Sequence, residues 1–288
     1  MAIIIDGKAI AAKVRDDVRL RTQKLTERGI RPCLAVILVG ENPASVSYVT
    51  GKEKALAEAG MDGRDIRLPA ATSEAELLAL IAALNADSAV HGILVQLPLP
   101  PHISEDRVIN AISPEKDVDG FHPVSVGNMV LGRPGFLPCT PNGIVYLLKE
   151  MQIKTAGAHA VILGRSNIVG KPLASLLIRR DVNATVTVCH TGTPDFSLYT
   201  KQADILIAAV GKPGLVTAGM VKPGAAVIDV GVNRVPDSSR KSGFVLRGDV
   251  DYDAIEKIAG WITPVPGGVG PMTIAMLMRN VVEAAETP

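Results

Sequence analysis

The chain has 288 residues, enough for one large domain or two smaller ones with a sizeable core. Hydrophobic residues make up 47% but aromatics only 3%, so Val, Ile, Leu and Ala must fill the interior, a mix suited to buried parallel strands covered by helices. Thirty basic residues against 29 acidic ones leave a net charge of +1, which supplies no global field for holding nucleic acid or an anionic membrane.

Residues 1–6 read as a short apolar strand ended by Asp6-Gly7 and not as a signal peptide. No apolar run approaches the roughly 18 residues needed to cross a bilayer. A helix is predicted over 8–28, a buried strand over 34–39 (LAVILV), and a second helix over 43–58 that ends at Gly60. A third helix is predicted over 73–87, where Ser73 and Glu76 have the spacing of a capping box. Residues 92–97 (GILVQL) then form a strand stopped by Pro98, Pro100 and Pro101. This alternation implies right-handed βαβ units and a mostly parallel sheet.

Thr140 is placed to cap a connecting helix that runs to residue 150, with Pro141 at its first position. A second series follows, with strands over 160–163, 185–188, 205–210 and 225–230 and a helix reaching residue 180, as in a nucleotide-binding α/β domain. The last helix is predicted over 272–286, with Ile274, Leu277, Met278, Val281 and Ala285 on one buried stripe. The expected fold is therefore two α/β domains, the second a Rossmann-like dinucleotide-binding domain with a mostly parallel sheet.

Cys33, Cys139 and Cys189 lie far apart and match no metal-ligand spacing, so no metal site is expected and a reducing cytosol is the natural setting. Cys33 and Cys189 read as core thiols, whereas Cys139, just before a helix start, is open to either a core or a site role.

The turn after Leu163 reads Gly164-Arg165-Ser166-Asn167-Ile168-Val169-Gly170-Lys171-Pro172. It departs from G-x-G-x-x-G, yet Gly164 permits a sharp turn and small Ser166 lets a pyrophosphate approach a helix N-terminus. Dinucleotide binding and an ordinary strand-to-helix turn both remain open on spacing alone. The next strand ends Val188-Cys189-His190-Thr191-Gly192 without the carboxylate that would favour NAD, while Arg165 and Lys171 are cations suited to the 2′-phosphate of NADP. The plainer alternative leaves Arg165 merely exposed.

Tyr48 and Lys52 are four apart and share a helix face, a pattern also common on solvated surfaces. Gln96 stands at the carboxyl end of its strand, where open α/β sheets place ligand sites. Asp117 and Asp119 fall in a loop and, unaided, read as turn formers. Residues 264–271 (PVPGGVGP) form the densest Gly/Pro loop, either a site for close backbone approach or a tight connection.

Six strings taken together resemble the bifunctional methylenetetrahydrofolate dehydrogenase/cyclohydrolase family: SYVTGK at 47–52, GILVQLPLP at 92–100, PEKDVDGFHP at 114–123, CTPNG at 139–143, GRSNIVGKP at 164–172 and TPVPGGVGPMT at 263–273. They fall in the family's order and span essentially the whole chain. The resemblance implies that Lys52 is the catalytic lysine with Gln96 beside it, that Tyr48 packs against the folate ring, and that Asp119 holds the pterin. It assigns Val95 and Leu97 to the substrate-contacting segment and Pro266, Gly267, Gly268, Val269 and Gly270 to a loop that closes over the substrate.

Gly164, Arg165 and Ser166 match the cofactor-phosphate turn, and Thr191 and Val232 two further cofactor-contacting positions. The family often carries serine or arginine at the position of Thr191, and threonine keeps a hydroxyl there. The implied cofactor is NADP, the substrates are tetrahydrofolate derivatives, and the assembly is a cytoplasmic homodimer formed through the cofactor domains. The implied division is a folate-binding catalytic domain over 1–139, completed by the helix of 272–288, and an NADP-binding domain over 140–271, with the substrate cleft between them. The segment 236–243 (PDSSRKSG) is longer and more polar than the family's usual turn and is expected to be a mobile surface loop. Two alternatives compete: a hydroxy-acid or amino-acid dehydrogenase on the same cofactor fold, which leaves Tyr48, Lys52, Gln96 and Asp119 unexplained, and a non-catalytic nucleotide sensor, which should have lost the lysine or the Gly-rich loop.

Overall fold

The computed structural model describes residues 1–240 and 243–287. Lys241 and Ser242, in the expected 236–243 loop, lie outside the described residues. The chain divides into two compact units, one of Ala12–Cys139 with the residues from Ile274 onward, the other of Met1–Ala11 with Thr140–Thr273.

The unit containing Ala12–Cys139 is built on three parallel strands in the order Asp62–Leu68, Cys33–Val39, Gly92–Val95. Its central strand is the expected apolar run, buried at every position. Ile37, Leu77, Ile81, Ile93 and Val95 join strands and the helix Glu74–Ala86 into one apolar cluster. That helix starts as its sequence dictates: the Ser73 hydroxyl accepts from Glu76 N, and the Glu76 carboxylate accepts from Ser73 N at 2.8 Å. The strand Asp62–Leu68 (DGRDIRL) has no apolar run to announce it. It is an edge strand whose outward charges pair locally, Arg67 with Asp65 at 2.6 Å and Arg64 with Asp87 at 2.6 Å, which blunts the exposed edge.

The other unit carries six parallel strands in the order Ile3–Ile4, Trp261–Ile262, Ala226–Asp229, Ile205–Ala208, His159–Leu163, Thr185–Cys189. Val161, Leu163, Leu206, Val227 and Ile262 form its core. An antiparallel hairpin, Asn233–Pro236 with Phe244–Arg247, stands beside this sheet. The expected boundary at 139 needs correction at the N-terminus. Ile3 and Ile4 pair with Trp261 and Ile262, and Ile5, fully buried, donates its N–H to the Ile262 carbonyl at 2.8 Å. A two-residue strand cannot stand alone; the ladder places Ile3–Ile4 in the six-stranded sheet, and Met1–Ala11 group with that unit.

Two helix starts also differ from expectation. The helix Cys139–Glu150 already includes Thr140, whose hydroxyl lies 2.8 Å from that of Thr273, so Thr140 is not its cap. The last helix runs over Val269–Glu286, beginning inside the Gly/Pro loop. Leu277, Met278, Val281 and Ala285 are buried as the stripe predicts, while Ile274 is half-buried. No helix among the described residues is long and apolar enough to cross a membrane.

Candidate active site

Lys52 lies on the helix Pro43–Ala59, one turn after Tyr48. Its neighbours along the inner face are Val49, Leu56 and Ala59, all buried, with buried Ser45 one turn before Val49, so the helix carries an amine into a mostly apolar stripe. Lys52 is only 9% exposed, and Tyr48, four residues earlier, is 47% exposed. The Lys52 ammonium donates to Gln96 Oε1 at 2.9 Å. Gln96 follows the strand Gly92–Val95 and is anchored at both ends, its N–H donating to the Ile37 carbonyl and its Nε2 to the Leu97 carbonyl at 2.8 Å. With Nε2 engaged in this way, Oε1 is left to face the lysine. Burial pushes the Lys52 amine below its ordinary range, and the charges of Asp119 and Cys139 oppose that shift.

Asp119 is half-buried, and its carboxyl is pushed up by burial while Lys52 pulls it down. The helix, the strand end and the loop of Asp119 thus bring an amine, an amide and a carboxyl together in the three-stranded unit. Two further groups serve this place that spacing alone does not reveal. Cys139 is buried, with its thiol 3.4 Å from the Val118 carbonyl and 3.9 Å from Asp119 Oδ1. Burial and the Asp119 charge raise the Cys139 thiol well above its ordinary value, so it stays protonated and is no nucleophile. Asn280, buried on the last helix, donates Nδ2 to the carbonyls of Val118 at 2.8 Å and Leu137 at 3.1 Å, tying the Asp119 loop to that helix.

Asp117 differs from Asp119. It accepts from the Ser125 hydroxyl at 2.7 Å, His122 N at 2.8 Å and Phe121 N at 3.2 Å, which makes it the turn former that sequence suggests. Burial nevertheless pushes it up to about 6. A carboxyl raised above its unfolded value contributes stability that is fully present below pH 4 and is lost as pH rises through about 6. A rise from 3.8 to about 6 is worth on the order of 3 kcal/mol. Between pH 4 and 7 Asp117→Asn should therefore show a flatter pH dependence of its denaturation midpoint than the wild type. Parallel curves would exclude a raised Asp117.

In the six-stranded unit, the strand His159–Leu163 lies between Thr185–Cys189, the next in the chain, and Ile205–Ala208, to which the chain then crosses on the other side. The carboxyl ends at such a switch point form a crevice. A cavity of about 500 Å³ opens there, lined by Leu163, Gly164, Arg165, His190, Thr191 and Lys212 among others. Gly164 has φ +119°, and a Cβ there would collide with the Ala209 carbonyl. The Ser166 hydroxyl accepts from Val169 N at 3.1 Å and Gly170 N at 3.4 Å in the turn that leads into the helix Gly170–Leu177. Among the described residues the cavity lining has no carboxylate, and it carries Arg165, His190 and Lys212. These residues suit a phosphorylated dinucleotide: a glycine turn, hydroxyls and cations without an opposing negative charge. Lys171, one of the two cations singled out from sequence, instead donates to Asn167 at 2.7 Å, and Lys212 takes a place in the lining.

The remaining expected residues are dispersed. Val232 is 45% exposed and outside that cavity's lining. Val95 is buried and contributes its side chain to the apolar core; Leu97 is half-buried. Pro266 lines a second cavity together with Asp229 and Arg247, while Gly267 packs near Lys8 and Gly268 near Thr263. Val269 is buried, and a Cβ on Gly270 would meet open space.

Buried amine chemistry on one sheet and an anion-accepting turn on another define an α/β enzyme that works with a nucleotide cofactor. The chain belongs to the tetrahydrofolate dehydrogenase/cyclohydrolase family, whose catalytic-domain model matches residues 5–119 and whose NAD(P)-binding-domain model matches residues 138–288. A curated relative, the bifunctional protein FolD of Exiguobacterium sibiricum, is 59% identical over 286 residues, 99% of this chain and 100% of its own. Among solved structures, the bifunctional FolD of Campylobacter jejuni is 51% identical with a TM-score of 0.94, covering 99% of each chain. The Trypanosoma brucei methylenetetrahydrofolate dehydrogenase-cyclohydrolase, solved with NADP and an inhibitor, is 40% identical with a TM-score of 0.95, covering 99% of this chain and 97% of its own. The protein is thus a bifunctional enzyme of one-carbon metabolism that oxidises 5,10-methylenetetrahydrofolate with NADP and hydrolyses the methenyl product to 10-formyltetrahydrofolate.

Proposed function

We propose that Lys52 is the proton-transfer group of the hydrolytic step, held by Gln96, and that Asp119 anchors the pterin. The observation that carries this reading is the 2.9 Å hydrogen bond from a buried amine to an amide that is itself fixed by the Leu97 carbonyl. The amine donates to Gln96 whether charged or neutral, so in its neutral form the lone pair remains free for water. Water adds its oxygen to the amidinium-like carbon, the π electrons move to nitrogen, and the released proton goes to Lys52. When the carbon–nitrogen bond opens, Lys52 returns a proton to the departing nitrogen, and the remaining hydroxyl proton is released to solvent as its oxygen becomes the formyl carbonyl. Burial already lowers the amine, and the positive substrate lowers it further, toward the protonation state a base requires.

Tyr48, exposed one turn from Lys52, offers its ring to the folate, with the segment of Val95 and Leu97 alongside and the loop of Pro266, Gly267, Gly268, Val269 and Gly270 as a further substrate element. NADP, when bound, supplies the hydride acceptor for the dehydrogenase step. Gly164 and Ser166 offer it a close backbone approach, Arg165 and Thr191 a cation and a hydroxyl for the 2′-phosphate, and Val232 an exposed apolar contact. Preference for NADP over NAD rests on the cations and the missing carboxylate of the cavity lining. The folate-binding domain corresponds to 1–139 with the helix of 272–288 and the NADP-binding domain to 140–271, except that Ile3–Ile4 join the latter's sheet and Met1–Ala11 group with that unit. The protein works in the cytoplasm as a homodimer formed through the cofactor domains.

A coupled assay with methylenetetrahydrofolate tests the cofactor assignment, following reduced cofactor and methenyl product with NADP or NAD. In Arg165→Ala the KM for NADP should rise about tenfold, the size of one lost charge-assisted hydrogen bond, while the KM for NAD stays within about twofold. Equal losses with both cofactors would remove Arg165 from 2′-phosphate recognition.

A further inference from the structure

Two buried carboxylates of the six-stranded unit have no part in the chemistry above. Asp249 is fully buried and Asp229 is 2% exposed. Every oxygen of the pair accepts from this same unit. Asp249 Oδ2 takes the N–H groups of Val210 at 2.7 Å and Gly211 at 2.9 Å; its Oδ1 takes Lys212 N at 3.0 Å and Asn233 Nδ2 at 2.9 Å. Asp229 accepts from Gly231 N at 3.0 Å, from Asp249 N at 2.8 Å and from Val250 N at 3.1 Å. The chain makes room for both groups with glycine: a Cβ on Gly231 would strike the Asp249 carboxylate, and one on Gly248 the Asp229 carboxylate.

These bonds end at the cofactor cavity. Val210 and Lys212 belong to its lining, and with Gly211 they form the turn that leaves the strand Ile205–Ala208. Three successive N–H groups in a non-repetitive turn must find acceptors, because buried donors without partners are costly. Asp249 is the acceptor for all three. A carboxylate contributed from 37 to 39 residues away therefore sets the shape of one cavity wall.

We propose that Asp249 is a positioning residue for NADP, its carboxylate fixing the 210–212 wall of the cofactor cavity, with Asp229 fixing Asp249 in turn. This rests on the placement of the cofactor in the cavity of Gly164, Arg165 and Thr191. Hydrolysis of the methenyl compound needs no nucleotide, so the enzyme carries its own control for a variant that folds.

The test is Asp249→Asn in the full chain, since an amide presents one acceptor oxygen where the carboxylate presents two. The expected result is a KM for NADP raised about tenfold or more, with the KM for methylenetetrahydrofolate and the hydrolysis of methenyltetrahydrofolate within about twofold of wild type. Without cofactor, the amides of 210–212 should exchange hydrogen faster than in the wild type. Both activities falling in proportion would overturn the proposal by making Asp249 a general element of the fold, and so would an unchanged KM for NADP. Should Asp249→Asn fail to fold, Asn233→Ala removes one donor to the same oxygen and should raise the KM for NADP about threefold; no change there overturns the proposal. Loss of NADP affinity in Arg165→Ala but not in Asp249→Asn would refute the clamp alone. Faster exchange at 210–212 with NADP affinity intact in both variants would refute the placement of the cofactor, and the proposal with it.

Discussion

Lys52→Met loses hydrolysis of methenyltetrahydrofolate by about 10²–10⁴-fold, the range a positioned proton-transfer group supplies, while its fold persists. Methionine matches the length of the lysine stem and suits the stripe of Val49, Leu56 and Ala59 better than a buried amine does. The cost falls on Gln96, whose Oε1 loses the donor now 2.9 Å away, a penalty of about 1–3 kcal/mol if water does not replace it. The variant should still bind NADP, because the cofactor turn of Gly164 and Arg165 belongs to the other unit. The measurement is the decay of the methenyl chromophore in the absence of nucleotide, with thermal unfolding recorded beside it. A second arm reads the wild-type rate against pH. Burial holds the Lys52 amine below the ordinary 10.5, so the rate should rise with pH along a limb centred below that value. Full hydrolytic activity in Lys52→Met would sink the assignment.

Much of the scaffold behind Lys52 is legible in the sequence, for reasons that are local. The run LAVILV is long, apolar and bounded, so it becomes the central strand, buried at every position. Ser73 and Glu76 satisfy each other's backbone groups within one helical turn, so spacing is sufficient to find them. What sequence misses is non-local or charged. DGRDIRL shows no period-2 apolar pattern because its outward residues face solvent at a sheet edge, yet seven residues pair with Cys33–Val39. Ile3 and Ile4 read correctly as a strand, but their partner Trp261–Ile262 lies at the far end of the chain, and only pairing reveals their unit.

The site divides in the same way. Tyr48, Lys52, Gln96 and Asp119 stand out through strings shared with a family; helix spacing by itself leaves a Tyr–Lys pair no different from a surface one. Burial separates the readings, since Lys52 is enclosed and Tyr48 is not. Asn280 and Asp249 carry no signal in spacing, because each is defined by partners distant in the chain, whereas the place of Cys139 beside a helix start leaves core and site roles equally open. Asn280 sits on the buried face of the last helix, an amide among Met276, Leu277 and Val281. A polar residue on a buried face is the one clue such a residue leaves, and it points to the carbonyls it satisfies.

Asp119→Ala should damage both activities, and its second effect separates anchoring from chemistry. Removing a carboxylate that hydrogen-bonds the pterin costs about 1.5–3 kcal/mol of binding, so the KM for both folate substrates should rise roughly 10–200-fold. Because a lost anchor precedes either reaction, dehydrogenation and hydrolysis should suffer together in kcat/KM, unlike the selective loss in Lys52→Met. The carboxylate also acts on the lysine: its charge raises the amine that burial lowers. Without it the Lys52 amine falls further, and more of it is neutral at a given pH. The pH limb of the residual hydrolysis should therefore move to lower pH in Asp119→Ala, although the reaction is weaker overall. Asp119→Asn should show the same displacement with a smaller loss of binding, since the amide keeps an acceptor and a donor for the pterin while the charge is gone. An unchanged folate KM would remove Asp119 from the substrate site. A pH limb that stays in place while binding weakens would mean that Lys52 is not the group titrating in hydrolysis.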